Sequence, residues 1–132
     1  MTIEDIANEV YDKLTDTYGY YLGGYCSIGS VMLFKMLQKA GFSPTIHASV
    51  DNKKDYNCFH VFVVVNEKVV DVTCSQFDEP NYNLPNILIE DNKKSKRRKH
   101  WYWKTYKTFT NTLELIEWQI EDGHCMEIIP TM

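Results

Sequence analysis

The stretch that decides the fold is residues 23–42, GGYCSIGSVMLFKMLQKAGF. Residues 27–40 are apolar on nearly every side of a helix, which predicts a central helix packed against several neighbours. The glycine pair brings the chain to Cys26, which therefore lies at the beginning of this helix. Gly41 predicts its C-terminal end, and Phe42 is then placed to fold back on the last turn.

A strand predicted over residues 45–50 and a hairpin over residues 59–73 follow this helix. In HVFVVVNEKVVDVT (residues 60–73), two valine-rich runs flank Asn66-Glu67, which predicts a two-residue hairpin turn. Because side chains alternate along a strand, the valines at alternate positions predict one core face. The other face then carries His60, Phe62, Asp71 and Thr73. A two-residue turn sets Asp71 opposite Phe62 and diagonal to His60, about 7 Å away at the backbone and within side-chain reach.

Weaker patterns fill in the rest of an α+β fold. A helix is predicted over residues 2–17, with Thr2 placed to cap it and Asp5 three residues on. A short strand is predicted over residues 87–89. A last helix is predicted over residues 110–121, where Leu113, Ile116 and Ile120 form one stripe. Leu115 and Trp118 lie on the opposite side, so this segment is either buried on two faces or partly extended. A chain of 132 residues buries one core, so we expect a single domain over residues 1–132.

Composition limits the classes of function. The net charge of −4 argues against nucleic-acid binding by the whole domain. No apolar run approaches the ~20 residues that cross a bilayer, and the N-terminus is acidic where a secretory signal is basic. We therefore expect a cytoplasmic protein without a membrane partner, in which the four cysteines are reduced.

Three residues have the types and the order of a cysteine nucleophile with its helpers. A helix N-terminus favours the thiolate of Cys26 because unpaired N–H groups and the helix dipole stabilise negative charge. His60 is the candidate acid/base, and Asp71 the carboxylate that holds the imidazole in the useful tautomer. The Cys26 backbone N–H is the first candidate oxyanion donor. Further candidates for oxyanion or substrate contact are Tyr21, Tyr25 and Gln76, together with the irregular segment of residues 77–85.

Residues 23–50, GGYCSIGSVMLFKMLQKAGFSPTIHASV, and residues 60–73 together resemble the core of the transglutaminase-like branch of the papain-like cysteine fold. In that family a Cys begins the central helix, the helix ends at a glycine before a strand, and His and Asp lie on adjacent strands. The resemblance implies an α+β papain-like fold with the Cys-bearing helix packed on an antiparallel sheet. It also implies that Cys26 is the nucleophile, His60 the acid/base and Asp71 the orienting residue. We expect no cofactor.

The same core is similar to that of arylamine N-acetyltransferases, and in length and order the chain resembles the leader peptidases of lasso-peptide systems. Two departures from these relatives stand out. Phe62 occupies the position where the family commonly has Trp. Ile28 and Ser30 replace the acidic residue and Asn that follow the Cys in the acetyltransferases, which argues against acetyl-CoA as a substrate.

Each residue also has a structural interpretation. A cysteine at a buried helix start is often a small hydrophobe, and His47 is interpreted as a structural strand residue. Cys58, His60, Cys74 and Cys26 offer zinc ligands, but their spacing fits no common zinc motif, so no metal is expected. The run KKSKRRK, which begins at Lys93 and ends at Lys99, precedes HWYW. It suits an acidic protein partner or a solvated loop better than nucleic acid.

The sequence thus predicts a cysteine-dependent acyl hydrolase or acyltransferase of the peptidase, amidase or transglutaminase type. Its substrate class is a peptide, protein or small acyl compound. The alternative is a non-catalytic binding module that keeps the fold and captures a partner with an aromatic and basic surface.

Overall fold

A computed structural model of the chain describes residues 1–20, 22, 25–50, 59–74, 85–92 and 105–121. Its helices are α1 (Ile3–Tyr18), α2 (Cys26–Lys39) and α3 (Thr112–Glu121). Its strands are β1 (Thr45–Val50), β2 (Phe59–Val65), β3 (Lys68–Asp71), β4 (Leu88–Asp91) and β5 (Lys107–Phe109). The strands form one antiparallel sheet in the order β4-β3-β2-β1-β5. The predicted α+β class is confirmed, and β2 is the central strand.

The first helix begins with the predicted cap. The Asp5 backbone N–H donates to Thr2 Oγ1 at 3.1 Å, and the Thr2 backbone N–H donates to Asp5 Oδ2 at 3.0 Å. This reciprocal capping box satisfies two donors that a helix start otherwise leaves unpaired. The buried stripe of α1 is the one that its spacing predicts: Ile6, Ala7, Val10 and Leu14.

The central helix begins at Cys26 and is buried over most of its surface, as its apolar pattern predicts. Gly41, with φ of 96°, adopts the left-handed conformation just after the helix. The backbone N–H of Phe42 donates to the carbonyl of Leu37 at 3.0 Å, so Phe42 folds back on the last turn. This ending directs the chain into β1.

The β2–β3 hairpin has the predicted turn and register. Asn66 and Glu67 both have positive φ, at 49° and 62°, as a two-residue turn of type I′ requires. Val63 pairs with Val70, and the same register sets Asp71 opposite Phe62. The strand β3 ends at Asp71, two residues earlier than predicted.

Different sets of side chains cover the two faces of the sheet. The face towards α1 and α2 carries the alternate valines of the hairpin, in one cluster with residues of both helices: Val63, Val65, Val70 and Val72. On the opposite face, Phe62 and Val69 pack with Leu88. Both faces of β2 are therefore buried, where the alternation predicted only one core face.

The predicted stripe of α3 is not the buried one. Leu113 and Ile120 are 55% and 61% exposed, whereas Leu115, Trp118 and Gln119 are buried. The physical reason is the aromatic contact of Trp118, whose ring lies 5.7 Å from the Phe59 ring and 5.6 Å from the Phe109 ring. Periodicity shows two stripes on this helix but not which of them meets these rings. Within the described ranges, no helix is both long and apolar enough to span a bilayer.

Candidate active site

His60 and Asp71 form a buried pair at the ends of adjacent strands. His60 is the second residue of β2 and Asp71 the last residue of β3. The His60 Nε2 and Asp71 Oδ2 atoms are 2.5 Å apart, and the two side chains are 0% and 1% exposed. The hairpin register creates this contact because Asp71 lies opposite Phe62, diagonal to His60. The structure thus brings together two of the three predicted catalytic residues.

The second oxygen of Asp71 is also held. Its Oδ1 accepts the Thr73 backbone N–H at 2.9 Å and the Thr73 hydroxyl at 3.4 Å. An ionised Asp71 can only accept hydrogen bonds, and in that charge state Nε2 is the His60 nitrogen that carries a proton and donates to Asp71. In this tautomer Nδ1 is the nitrogen that can accept a proton from a thiol.

Aromatic stacking fixes the plane of the His60 ring. The His60 and Phe62 rings are stacked with centroids 6.2 Å apart, and the His47 ring also stacks on Phe62, with centroids 5.5 Å apart. His47 Nε2 lies 2.8 Å from Thr45 Oγ1, and His47 Nδ1 lies 3.0 Å from Thr105 Oγ1. These contacts agree with the structural interpretation of His47, and Phe62 provides the aromatic surface beside the candidate acid/base.

Cys26 is the first residue of α2 and is 2% exposed. It belongs to a buried group on the helix side of the sheet, here called the thiol cluster: Cys26, Val31, Phe34, Ile46, Ala48, Val61, Phe109, Leu115 and Trp118. This cluster joins the start of α2 to β1, β2, β5 and α3.

Two close contacts position the start of α2 on the hairpin. Ser30 Oγ donates to the Val61 carbonyl at 3.1 Å in a buried hydrogen bond. At Gly29, an added Cβ would lie 3.1 Å from Thr73 Cγ2 and 3.2 Å from Val72 Cγ2, so the helix lies against the chain that follows Asp71. Cys26, one turn before Ser30 on the same side of the helix, therefore lies towards the start of β2.

The Cys26 thiol and the His60 imidazole lie on different sides of β2. Val61 packs in the thiol cluster, and His60, its neighbour along the strand, projects from the opposite face with Phe62. The structure therefore brings His60 and Asp71 together on one face and places Cys26 on the other, near the start of the same strand.

The remaining candidates fall into two groups. Tyr25 is the residue directly before α2. Its half-buried ring stacks on the ring of Tyr18, with centroids 4.4 Å apart. Tyr21 and Gln76 lie outside the described residues. So do the predicted substrate segment up to residue 84, the basic run between Lys93 and Lys99, and the zinc candidate Cys58. Among the residues that are described, no group of three His, Cys, Asp or Glu side chains is arranged to hold a metal ion.

Sequence reasoning missed Gln119 and the bonding role of Ser30. The Gln119 side chain is 0% exposed, and neither atom of its amide has a hydrogen-bond partner among the described residues. No signal in the sequence predicts this burial, because glutamine in a helix is typically exposed. Ser30 donates a buried hydrogen bond to the Val61 carbonyl, which no pattern in the sequence predicts.

Comparison with known proteins gives no relative from which a function can be taken. No protein-family model, curated protein or solved structure was found to match the chain.

Proposed function

We propose that the protein is a thiol-dependent acyl hydrolase or acyltransferase with a papain-like, transglutaminase-like arrangement of Cys26, His60 and Asp71. The observation that supports this most is the buried His60–Asp71 pair, 2.5 Å apart, on strands that the first turns of α2 overlie. Burying a carboxylate and an imidazole in a sheet costs free energy, so the pair suits a functional role better than a merely structural one.

The proposed reaction begins with the transfer of the Cys26 thiol proton to His60 Nδ1. The thiolate sulfur attacks the carbonyl carbon of an amide or thioester and forms a tetrahedral intermediate, whose oxyanion is stabilised by the Cys26 backbone N–H at the start of α2. Collapse of the intermediate breaks the bond to the leaving group. His60 then returns its proton to the leaving amine or thiol, which leaves a thioester on Cys26. Asp71 stabilises the imidazolium throughout.

The second half-reaction decides between hydrolysis and transfer. Attack on the thioester by water gives a carboxylic acid, and attack by an amine gives a new amide. In both cases His60 takes a proton from the attacking group, and the proton returns to Cys26 as the sulfur leaves. The substrate class is accordingly a peptide, a protein or a small acyl compound.

Site-resolved alkylation tests the proposal without knowledge of the substrate. Intact protein is treated with iodoacetamide at pH 7, and the rate at each cysteine is followed by mass spectrometry. Cys74 is the matched control, since it is also a buried thiol and lies three residues after Asp71. A catalytic Cys26 should react faster than Cys74, because the helix N-terminus and His60 favour its thiolate.

Variants connect the reactivity of Cys26 to the imidazole. His60→Gln should slow alkylation of Cys26 and leave the rate at Cys74 unchanged, with circular dichroism confirming that the fold is retained. If Cys26 reacts no faster than Cys74 in the unmodified protein, the enzyme proposal fails. A thioester adduct trapped on Cys26 from a cell lysate, and lost in Cys26→Ser, would identify the acyl group.

One observation favours a second candidate, the non-catalytic binding protein. The ring of His60 is fully buried, and it projects from the face of β2 opposite the thiol cluster. In this alternative, His60 and Asp71 stabilise the hairpin, and the aromatic and basic surface predicted from KKSKRRKHWYW captures an acidic partner. Equal alkylation of Cys26 and Cys74, with binding of an acidic polypeptide such as polyglutamate, is the result that this candidate predicts.

A further inference from the structure

The outward face of α3 carries an apolar stripe that does not contribute to the core formed by the described residues. Leu113 and Ile120 are 55% and 61% exposed, and Ile116 between them is half-buried. We call these three residues the outer stripe. Their spacing of three and four residues places them on one side of the helix, over about 10 Å at 1.5 Å per residue.

The opposite face already holds α3 in the fold. Leu115 and Trp118 pack in the thiol cluster. At the N-terminus of the helix, the Glu114 backbone N–H donates to Asn111 Oδ1 at 2.9 Å, and Glu114 Oε1 accepts the Thr110 hydroxyl at 2.6 Å. Packing and capping thus account for the helix without the outer stripe, which leaves its exposed apolar side chains open to contact by a partner.

The charges beside the outer stripe restrict the partner. Glu117 and Glu121 lie next to it along one edge, and α3 contains no Lys or Arg. A second copy packed antiparallel would set these glutamates against their own counterparts, which is unfavourable. An anionic bilayer would be repelled for the same reason. A partner helix with an apolar stripe bordered by Lys or Arg matches both the apolar surface of the outer stripe and the acidic edge beside it.

We propose that the outer stripe of α3 docks a basic amphipathic helix of a partner protein. Its apolar side chains cover Leu113, Ile116 and Ile120, and its basic residues pair with Glu117 and Glu121 along the edge. This surface is independent of the proposed chemistry at Cys26, so either proposal can fail without the other.

The test measures binding of two fluorescein-labelled synthetic helices by fluorescence anisotropy. Both peptides have leucine at every third or fourth position, and the remaining positions are lysine in one peptide and glutamate in the other. The full chain is compared with Leu113→Ser/Ile120→Ser and with Glu117→Gln/Glu121→Gln. Asp12→Asn/Asp16→Asn removes the same charge from the exposed face of α1, and Tyr20→Ser removes an exposed ring elsewhere, so these are the matched controls.

We expect the lysine peptide to bind and the glutamate peptide not to bind. The affinity for the lysine peptide should fall at least tenfold in Leu113→Ser/Ile120→Ser and severalfold in Glu117→Gln/Glu121→Gln, and both controls should bind as the unmodified chain does. The loss in the glutamine variant should shrink as salt is raised, since these charges are exposed.

Three results would overturn the proposal. The first is that the lysine peptide binds Leu113→Ser/Ile120→Ser as tightly as it binds the unmodified chain, or that Asp12→Asn/Asp16→Asn weakens binding as much as Glu117→Gln/Glu121→Gln does. The second is failure of the lysine peptide to bind. The third is a dimer in sedimentation equilibrium that the serine variant abolishes, since a second copy would then be the occupant.

Discussion

Asp71→Ala removes the acceptor of three hydrogen bonds at once: from His60 Nε2, from the Thr73 backbone N–H and from the Thr73 hydroxyl. Breaking a buried pair of this kind by deleting one partner typically costs about 3–5 kcal/mol. A domain of this size has a free energy of unfolding of about 5–15 kcal/mol, so the variant should lose a large part of its stability.

Asp71→Asn separates the hydrogen bonds from the charge. The amide oxygen can still accept the Thr73 N–H, and the amide nitrogen can donate to His60 Nε2 if the imidazole changes its tautomer to Nδ1–H. The charge-assisted bond to His60 is lost, and we expect a cost of about 1–3 kcal/mol, clearly below that of alanine. In the Nδ1–H tautomer the ring can no longer accept the thiol proton. Alkylation of Cys26 should therefore slow in Asp71→Asn although the protein is still folded.

Urea denaturation followed by tryptophan fluorescence and circular dichroism measures both costs. A double-mutant cycle with His60→Ala isolates the pair, for which we expect a coupling energy of at least about 1 kcal/mol. Asp12→Ala, at an exposed position of α1, is the control and should change stability by no more than about 0.5 kcal/mol. A loss below about 1 kcal/mol in Asp71→Ala with an unchanged m-value, or a coupling energy near zero, would refute this account of the pair.

Three further predictions concern the elements that position the site. Gly29→Ala places a Cβ 3.1 Å from Thr73 Cγ2. The overpacking cost of about 1–3 kcal/mol should exceed the gain of about 1 kcal/mol in helix propensity, so the variant should be less stable. An increase in the urea midpoint would contradict this. Glu67→Gly should raise the melting temperature, because Glu67 has φ of 62° and glycine adopts this conformation without strain. A lower melting temperature would show that the Glu67 side chain stabilises the turn by more than the strain costs. The hydrogen bonds from the Thr2 backbone and side chain lower the pKa of Asp5. Because this pKa is lower in the folded chain than in the unfolded chain, the contribution of Asp5 is complete above the unfolded value and is lost as pH falls through the folded value. Asp5→Asn should therefore flatten the acid side of the stability profile in urea titrations, and an unchanged profile would exclude this contribution.

The parts of the fold that local physical rules determine were predictable from the sequence. Thr2 and Asp5 show a capping box at the right spacing, and Asn66-Glu67 allows only a tight connection between two valine runs. The turn sets the hairpin register, and the register alone brings Asp71 to His60. A single local feature thus predicted a contact between residues eleven positions apart.

The parts that depend on tertiary packing were not predictable in the same way. The apolar stripe of Leu113, Ile116 and Ile120 has good helical spacing, but the rings of Phe59 and Phe109 contact Trp118 on the other side of the helix. Those rings come from β2 and β5, which are distant in sequence. Likewise, alternation along β2 shows that His60 and Val61 face opposite ways, but not that Cys26 packs with Val61. That contact depends on how α2 crosses the sheet, which Ser30 and Gly29 fix through contacts with the hairpin.

The position of His60 in its strand determines how the proposed thiol chemistry can operate. Nε2 extends away from the strand to Asp71, and Nδ1, bonded to the ring carbon next to Cβ, is the nitrogen closer to the β2 backbone. Cys26 lies on the other side of that backbone, towards the start of the strand, where β2 has only Phe59 before His60. In the enzyme proposal, the sulfur meets Nδ1 around the start of the strand rather than through the sheet. The enzyme proposal thus requires that the start of β2 leave this path open. The proton transfer should therefore be most sensitive to a bulkier side chain at Phe59. Phe59→Trp should slow alkylation of Cys26 relative to Cys74 while the His60–Asp71 coupling energy stays the same. An unchanged alkylation ratio would mean that the thiol and the imidazole do not communicate along this path.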